Sequence, residues 1–258
     1  MATESMPHET NNLDSLPPVK PARTGSVIAR LAFAAFSGVL GALLSWKVIA
    51  VIGEVVVLPT DLAGLGFGSV PSPEDQARLV SATLNMNIKN AAIWMGAVGA
   101  IFGAAFSLVV CAARRTGISS IRMMFVTTVS GALFGTIAGA VGIWIQMIAR
   151  QNMEPGATSS PEQIILFMHS TIWLICGLGI GLGIALGGPM SWRTRLESTI
   201  VIGLVGMVGG CLFPIVAGIF FPAVNSTGPI PLVDPSAGRI LWLTLPAVFM
   251  GLAIGKNS

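Results

Sequence analysis

Charge is what this sequence has least of. Only 10% of its 258 residues are Asp, Glu, Lys or Arg, against 53% hydrophobic. Soluble domains carry about 25% charged residues, and so few charges cannot cover the surface of a water-soluble protein this large. The chain is expected to sit in a membrane. Its net charge is only +3, and no Lys/Arg-rich stripe is present that could follow a phosphate backbone, so nucleic acid is not an expected partner.

Chemistry-bearing motifs are also scarce. The three cysteines, Cys111, Cys176 and Cys211, fall in or at the ends of apolar runs without a Cys-x-x-Cys spacing, and read as small apolar residues. There is no His-Glu-x-x-His, no Gly-x-Ser-x-Gly and no pair of acids inside an apolar run. A hydrolase or metalloenzyme needs such groups converging on one site, and a proton-driven pump uses a chain of intramembrane acids. No catalytic residue, metal or cofactor is expected, and the chain does not read as an enzyme.

What the sequence does have is long apolar runs rich in glycine. The central one, 164–188, carries no formal charge and is long enough to cross the ~30 Å hydrocarbon core. Its second half holds Gly177, Gly179, Gly181, Gly183, Gly187 and Gly188. Each glycine would cost a soluble helix about 1 kcal/mol against Ala, whereas in lipid it lets two backbones approach closely. Six such runs are expected to span the membrane, at about 31–57, 91–113, 123–148, 164–188, 198–221 and 240–254. The fold class is therefore an all-α integral membrane protein with a six-span domain over 26–258.

Residues 1–25 are polar, lack apolar periodicity, and read as a disordered cytoplasmic tail. They have no basic region leading into a short apolar core, so a secretory signal is not expected there. Residues 58–90 form an outer segment. Within it Ser72-Pro73-Glu74-Asp75 is a helix-start signature, followed by Ala77, Val80, Leu84 and Ile88 at spacings of three and four. This amphipathic helix either lies on the membrane surface or runs straight into the second span.

The basic residues set the orientation. With the N-terminus inside, the inner segments hold Lys20, Arg23, Arg30, Arg114, Arg115, Arg122, Arg193, Arg195 and Lys256, while the outer ones hold Arg78, Lys89, Arg150 and Arg239 among most of the acids. Both termini are expected in the cytoplasm, with the protein in a plasma or inner cell membrane.

An internal repeat accompanies the spans. Residues 93–139 align without a gap on 172–218, pairing Trp94 with Trp173, Arg114 with Arg193, Gly131 with Gly210, Leu133-Phe134 with Leu212-Phe213, and Gly139 with Gly218. Ser72-Pro73, Ser160-Pro161 and Asp234-Pro235 each precede an even-numbered span bearing a Trp near its outer end: Trp94, Trp173 and Trp242. Three helical hairpins of one orientation are expected, spans one-two, three-four and five-six, about an axis along the membrane normal. With Trp144, the same tryptophans read as an interfacial aromatic belt.

Glycines at every fourth position predict packing faces: Gly99 and Gly103 in span two, Gly131, Gly135 and Gly139 in span three, Gly179, Gly183 and Gly187 in span four, and Gly210 in span five. Plain packing is their ordinary reading. They could equally associate with a second copy or another membrane protein, or line a narrow passage. His169 is the sole span histidine, and Asn90 occupies its repeat-equivalent position, so the two are candidates for a common outer vestibule. Lys47 and Glu54 are further solute candidates, although Trp46 beside Lys47 suits a snorkelling lysine at the interface. Pro214 and Pro246 fall inside spans, where they either kink a helix or break it around a site. Two functions follow: passage or binding of a small solute or lipid, or a non-transporting scaffold or accessory subunit that associates through its glycine faces.

Overall fold

The computed structural model describes residues 24–66, 72–114, 118–151, 161–220 and 236–257, and all regular structure among them is helical. The elements are α1 (Thr24–Ile52), α2 (Thr60–Ala63) with a 3-10 turn at Gly64–Gly66, α3 (Pro73–Arg114), α4 (Ile118–Gln151), α5 (Pro161–Gly187), α6 (Trp192–Phe220) and α7 (Ser236–Asn257). Six of these helices, all but α2, are long and apolar enough to cross a membrane. Most of the expected tail, the 152–160 loop with Ser160, and Asp234-Pro235 lie outside the described residues.

The helix ends follow local chemistry. α1 stops at Ile52, short of the expected 57, because Gly53 takes φ +58° and its N–H closes back on the Ile49 carbonyl at 3.1 Å. This left-handed glycine C-cap satisfies a carbonyl the helix would otherwise strand. At the start of α3, Ser72 Oγ accepts from the Asp75 N–H at 3.1 Å and donates to the Asp75 carboxylate at 2.8 Å. Beyond this cap no breaker interrupts the chain, so the amphipathic segment runs straight into the second span as one helix of 42 residues. At 1.5 Å per residue α3 is roughly 60 Å long, twice the hydrocarbon thickness. α6 starts earlier than expected, at Trp192. Ser191 accepts from the Thr194 N–H at 3.3 Å, and Arg193 lies inside the helix, 2.9 Å from Glu197.

The spans close into a ring: each packs on its neighbours in the chain, and α7 returns to α1. Inner and outer helices alternate. The most apolar stretches of α3, α5 and α7 are 61%, 50% and 44% buried, those of α1, α4 and α6 only 22%, 33% and 39%. Exposed Phe36, Leu40 and Leu44 on α1, Phe125, Val129 and Leu133 on α4, and Leu204 and Val208 on α6 recur every fourth residue. An apolar surface of that kind suits hydrocarbon, not water.

Lipid tails are as apolar as the core, so helix contact here depends on close packing rather than on exclusion of water. A methyl at Gly99 would collide with the Gly131 carbonyl, one at Gly103 with that of Thr127, one at Gly135 with that of Met95, and one at Gly139 with that of Ala91. These four contacts run the length of the α3/α4 seam. On α5, Gly179 meets Phe134, Gly183 meets Thr127 and Gly187 meets Met123, while Ser130 Oγ donates to the Gly179 carbonyl at 2.7 Å. The axis is filled by Phe102, Phe106, Trp173, Phe213, Trp242 and Met250.

Candidate functional site

His169 lies on α5, fully buried. Its Nδ1 accepts the indole N–H of Trp242 at 3.1 Å, which joins α5 to α7. A nitrogen that accepts from an N–H carries no proton of its own, so this bond fixes which ring nitrogen presents a lone pair. Phe213 of α6 stands edge-on to the imidazole, ring centres 5.0 Å apart. One turn along α5, Trp173 packs edge-on to Trp242 at 5.2 Å and tilted against Phe102 of α3 at 6.0 Å. The cluster thus draws on α3, α5, α6 and α7. Gly210 lets α6 approach it, because a Cβ there would stand 2.5 Å from the His169 carbonyl oxygen and 2.8 Å from Trp173 Cδ1. The Trp173 indole N–H is buried with no hydrogen-bond partner.

Asn90 is also buried, but among other residues. Its Oδ1 accepts from the backbone N–H groups of Val55 at 3.2 Å and Val56 at 2.9 Å, and its Nδ2 donates to the Val56 carbonyl at 2.8 Å. Trp94, one turn on, donates to the Gly53 carbonyl at 2.7 Å. Together the two side chains satisfy the irregular backbone that leaves α1, which would otherwise lie unpaired against a helix face. The two pairs of residues that the sequence aligns therefore do different things: Asn90 and Trp94 hold the exit of α1, and His169 and Trp173 meet α7.

Lys47 and Glu54 are both exposed. The Lys47 ammonium lies 4.5 Å over the ring of Trp46. Arg78 pairs with Asp61 and Asp75, and Arg193 with Glu197, but Lys47 and Glu54 do not pair with each other.

The aromatic belt needs correcting. Trp144 is exposed, as an interfacial residue should be, but Trp94, Trp173 and Trp242 are buried inside the bundle. Trp94 and Trp173 lie midway along α3 and α5, and Trp242 two turns into α7; all three are on the inner helices, where the neighbour across the seam is protein. Pro246 of α7 is buried as well and seats on α6, where a Cβ at Gly209 would be 2.5 Å from its Cα.

One groove holds none of the candidate solute residues His169, Asn90, Lys47 and Glu54, although Ala77, Val80 and Leu84 of the amphipathic segment line it. It has a volume of about 940 Å³ and lies between the first half of α3 and the last turns of α4. Gln76, Thr83, Asn87 and Gln146 supply polar groups, and Leu84 and Ile143 apolar ones. The three-and-four spacing of α3 pointed to its apolar wall, but nothing local to α3 names α4 as the opposite side. No three His, Cys, Asp or Glu residues gather at a metal-binding distance among the described residues.

Comparison with protein families, with curated proteins and with solved structures finds no match for this chain. What the helices define is the class, a multi-pass helical membrane protein.

Proposed function

We propose that this chain is a membrane scaffold or accessory subunit that does not conduct a solute along its axis and works from its perimeter. The observation that carries the reading is the packed axis: Phe102, Trp173, Trp242 and Phe213 interlock there, and His169 gives its Nδ1 lone pair to Trp242. A water path would have to displace aromatic rings held by four helices. The glycines of α3, α4 and α5 already face helices of the same chain, so a second copy or another membrane protein would dock on α1, the least buried span.

Orientation and repeat belong to the same reading. One end of the bundle carries Arg30, Arg122, Arg193, Arg195 and Lys256 with Glu197, and the other Glu54, Asp61, Glu74 and Asp75 with Arg78, Lys89 and Arg239. By the positive-inside rule the first end is cytoplasmic, and both termini with it. Alternation of inner and outer helices supports a three-fold repeat about the membrane normal. Glycines whose nearest neighbour is a backbone carbonyl oxygen pair α3 with α4, α5 with α6, and α7 with α1, where Gly38 meets Ala247 and Gly251 meets Ala34, whereas the α4/α5 and α6/α7 glycine contacts fall on other atoms. On that pairing the third unit is split between the chain's ends, a different division from hairpins taken in chain order.

A second reading, binding of a small amphiphile, is favoured by the groove of about 940 Å³ with its mixed lining. Proteoliposomes holding the full chain test the scaffold reading. Stopped-flow shrinkage against urea, glycerol and neutral amino acids is expected to match empty vesicles. Saturable flux of any of these would refute the scaffold reading.

A further inference from the structure

The glycine seam of α3 and α4 stops short of the Pro73 end. Of its four contacts, the one nearest that end sets a Cβ at Gly139 against the Ala91 carbonyl. Beyond it α4 offers Ile143 and Met147, and α3 offers Thr83, Leu84 and Asn87. None of these is small enough to let two backbones meet. The seam opens there into the groove of about 940 Å³. That volume lies near the top of the roughly 300–1,000 Å³ range of small-molecule sites. Ile143 is its buried floor, while Ala77, Val80 and Asn87 are exposed along it. Trp144, next to Ile143 and exposed, suits the headgroup level of a bilayer. From that level the groove runs along α3 away from the hydrocarbon.

Two stripes run along the α3 side. Gln76, Thr83 and Asn87, spaced by seven and four residues, form a polar one. Ala77, Val80 and Leu84, spaced by three and four, form an apolar one beside it. The polar side chains are not used within the fold: Gln76, Thr83 and Asn87 make no side-chain hydrogen bond to any described residue. Thr127, Thr136, Thr171 and Thr199 each turn the hydroxyl onto the carbonyl four residues before, and Thr83 does not. Glu74 and Arg78 lie round the helix and line a neighbouring groove over Leu62, where Arg78 pairs with Asp61 and Asp75. The described lining of the α3/α4 groove carries no formal charge.

We propose that this groove holds an uncharged amphiphile with a hydroxyl headgroup, of the monoacylglycerol type, with its hydroxyls on Gln76, Thr83 and Asn87 and its chain along Val80, Leu84 and Met147. Amides and hydroxyls both donate and accept, and an alcohol hydroxyl answers in both senses. A carboxylate or phosphate only accepts. It would face the amide oxygens with no described cation beside it, and burying a charge unpaired is costly. A free polyol would leave the apolar stripe uncovered, and a bare hydrocarbon would leave the polar one without partners. The inference rests on the reading of amphiphile binding and names the headgroup which that reading leaves open.

Photolabelling of the full chain in phosphatidylcholine nanodiscs tests it, with a monoacylglycerol that carries a diazirine in its chain and adducts mapped by peptide mass spectrometry. Adducts are expected to saturate and to fall on 76–87 and 143–147. Excess unlabelled monooleoylglycerol should abolish them, while the same excess of oleate or lysophosphatidylcholine should not. Asn87→Leu removes one amide at similar size and should raise the half-saturating concentration about five-fold, the scale of one hydrogen bond. Ala77→Trp fills the groove from an exposed position and should abolish the adducts. Lys89→Gln, round the helix, should change nothing. Equal competition by oleate or lysophosphatidylcholine would overturn the headgroup and leave amphiphile binding standing. No saturable adduct in either stretch, or unchanged labelling in both Asn87→Leu and Ala77→Trp, would overturn the site and the amphiphile reading with it.

Discussion

Trp242 hands its indole N–H to Nδ1 of His169 across 3.1 Å inside the bundle, and so ties α7 to α5. Hydrogen bonds between membrane helices contribute about 0.6 kcal/mol on average and up to about 1.7 kcal/mol. Trp242→Phe keeps the ring and removes the donor. It is expected to lower stability by about 1 kcal/mol, read as a lower unfolding midpoint in detergent. His169→Ala should cost more, because it strands the indole N–H and opens a cavity beside Phe213. If Trp242→Phe melts like the parent, the bond does not hold α7.

The glycine seam between α3 and α4 predicts a sharp contrast between two small substitutions. Gly99→Ala sets a methyl against the Gly131 carbonyl. Overpacking of this kind typically costs about 1–3 kcal/mol. Gly218→Ala, in α6, meets nothing within 4 Å. Helix propensity alone should then make it neutral or stabilising by up to about 1 kcal/mol. Thermal aggregation midpoints of the two variants check the ordering, and a Gly99→Ala protein as stable as Gly218→Ala would contradict the close contact.

Asn90 makes three hydrogen bonds to the backbone of Val55 and Val56. Asn90→Ala should release those amides while leaving the α3/α4 seam closed. Hydrogen–deuterium exchange is the direct readout: faster exchange over 53–58, with little change over 95–103. Uniform loosening of both regions would mean that Asn90 supports the bundle rather than this one segment.

The Ser72 cap makes a more local prediction. Ser72→Ala removes the oxygen that takes the Asp75 N–H, a change worth about 1 kcal/mol at a helix start. Amide exchange should rise in the first turn of α3 and fade within two turns. The span beyond Ala91 should be unaffected.

Much of this architecture is legible in the sequence, and the exceptions share a cause. The six spans follow from apolar length, whereas the three-and-four spacing after Ser72 leaves two placements open, on the membrane surface or joined to the second span, and the structure takes the second as one helix. Glycines at every fourth position announce that some helix approaches closely, but not which one. The contact of α1 with α7 uses Ala34 and Gly38 on one side and Gly251 and Gly255 on the other, residues at opposite ends of the chain. A tryptophan that hydropathy alone puts near the end of a span fits a headgroup belt or a protein core equally well. Only the ring closure, which puts α3, α5 and α7 on the inside, decides for the core at Trp94, Trp173 and Trp242. Asn90 escaped for a related reason: its partner is a stretch of irregular backbone, and backbone groups leave no residue signature. His169 and Asn90, paired by the sequence alignment as candidates for one vestibule, are both buried, and each is engaged by a different part of the fold.

The central claim is that aromatic packing seals the axis, and the most direct measurement is thiol accessibility along α5. In a variant with Cys111, Cys176 and Cys211 replaced, single cysteines from His169 to Gly188 would be probed with a membrane-impermeant reagent from the Pro161 side of the membrane. The sealed axis predicts labelling that ends before Trp173. Labelling that repeats every three to four residues and continues past Trp173 towards Gly183 would contradict it, and would return the bundle to the class of solute-conducting proteins.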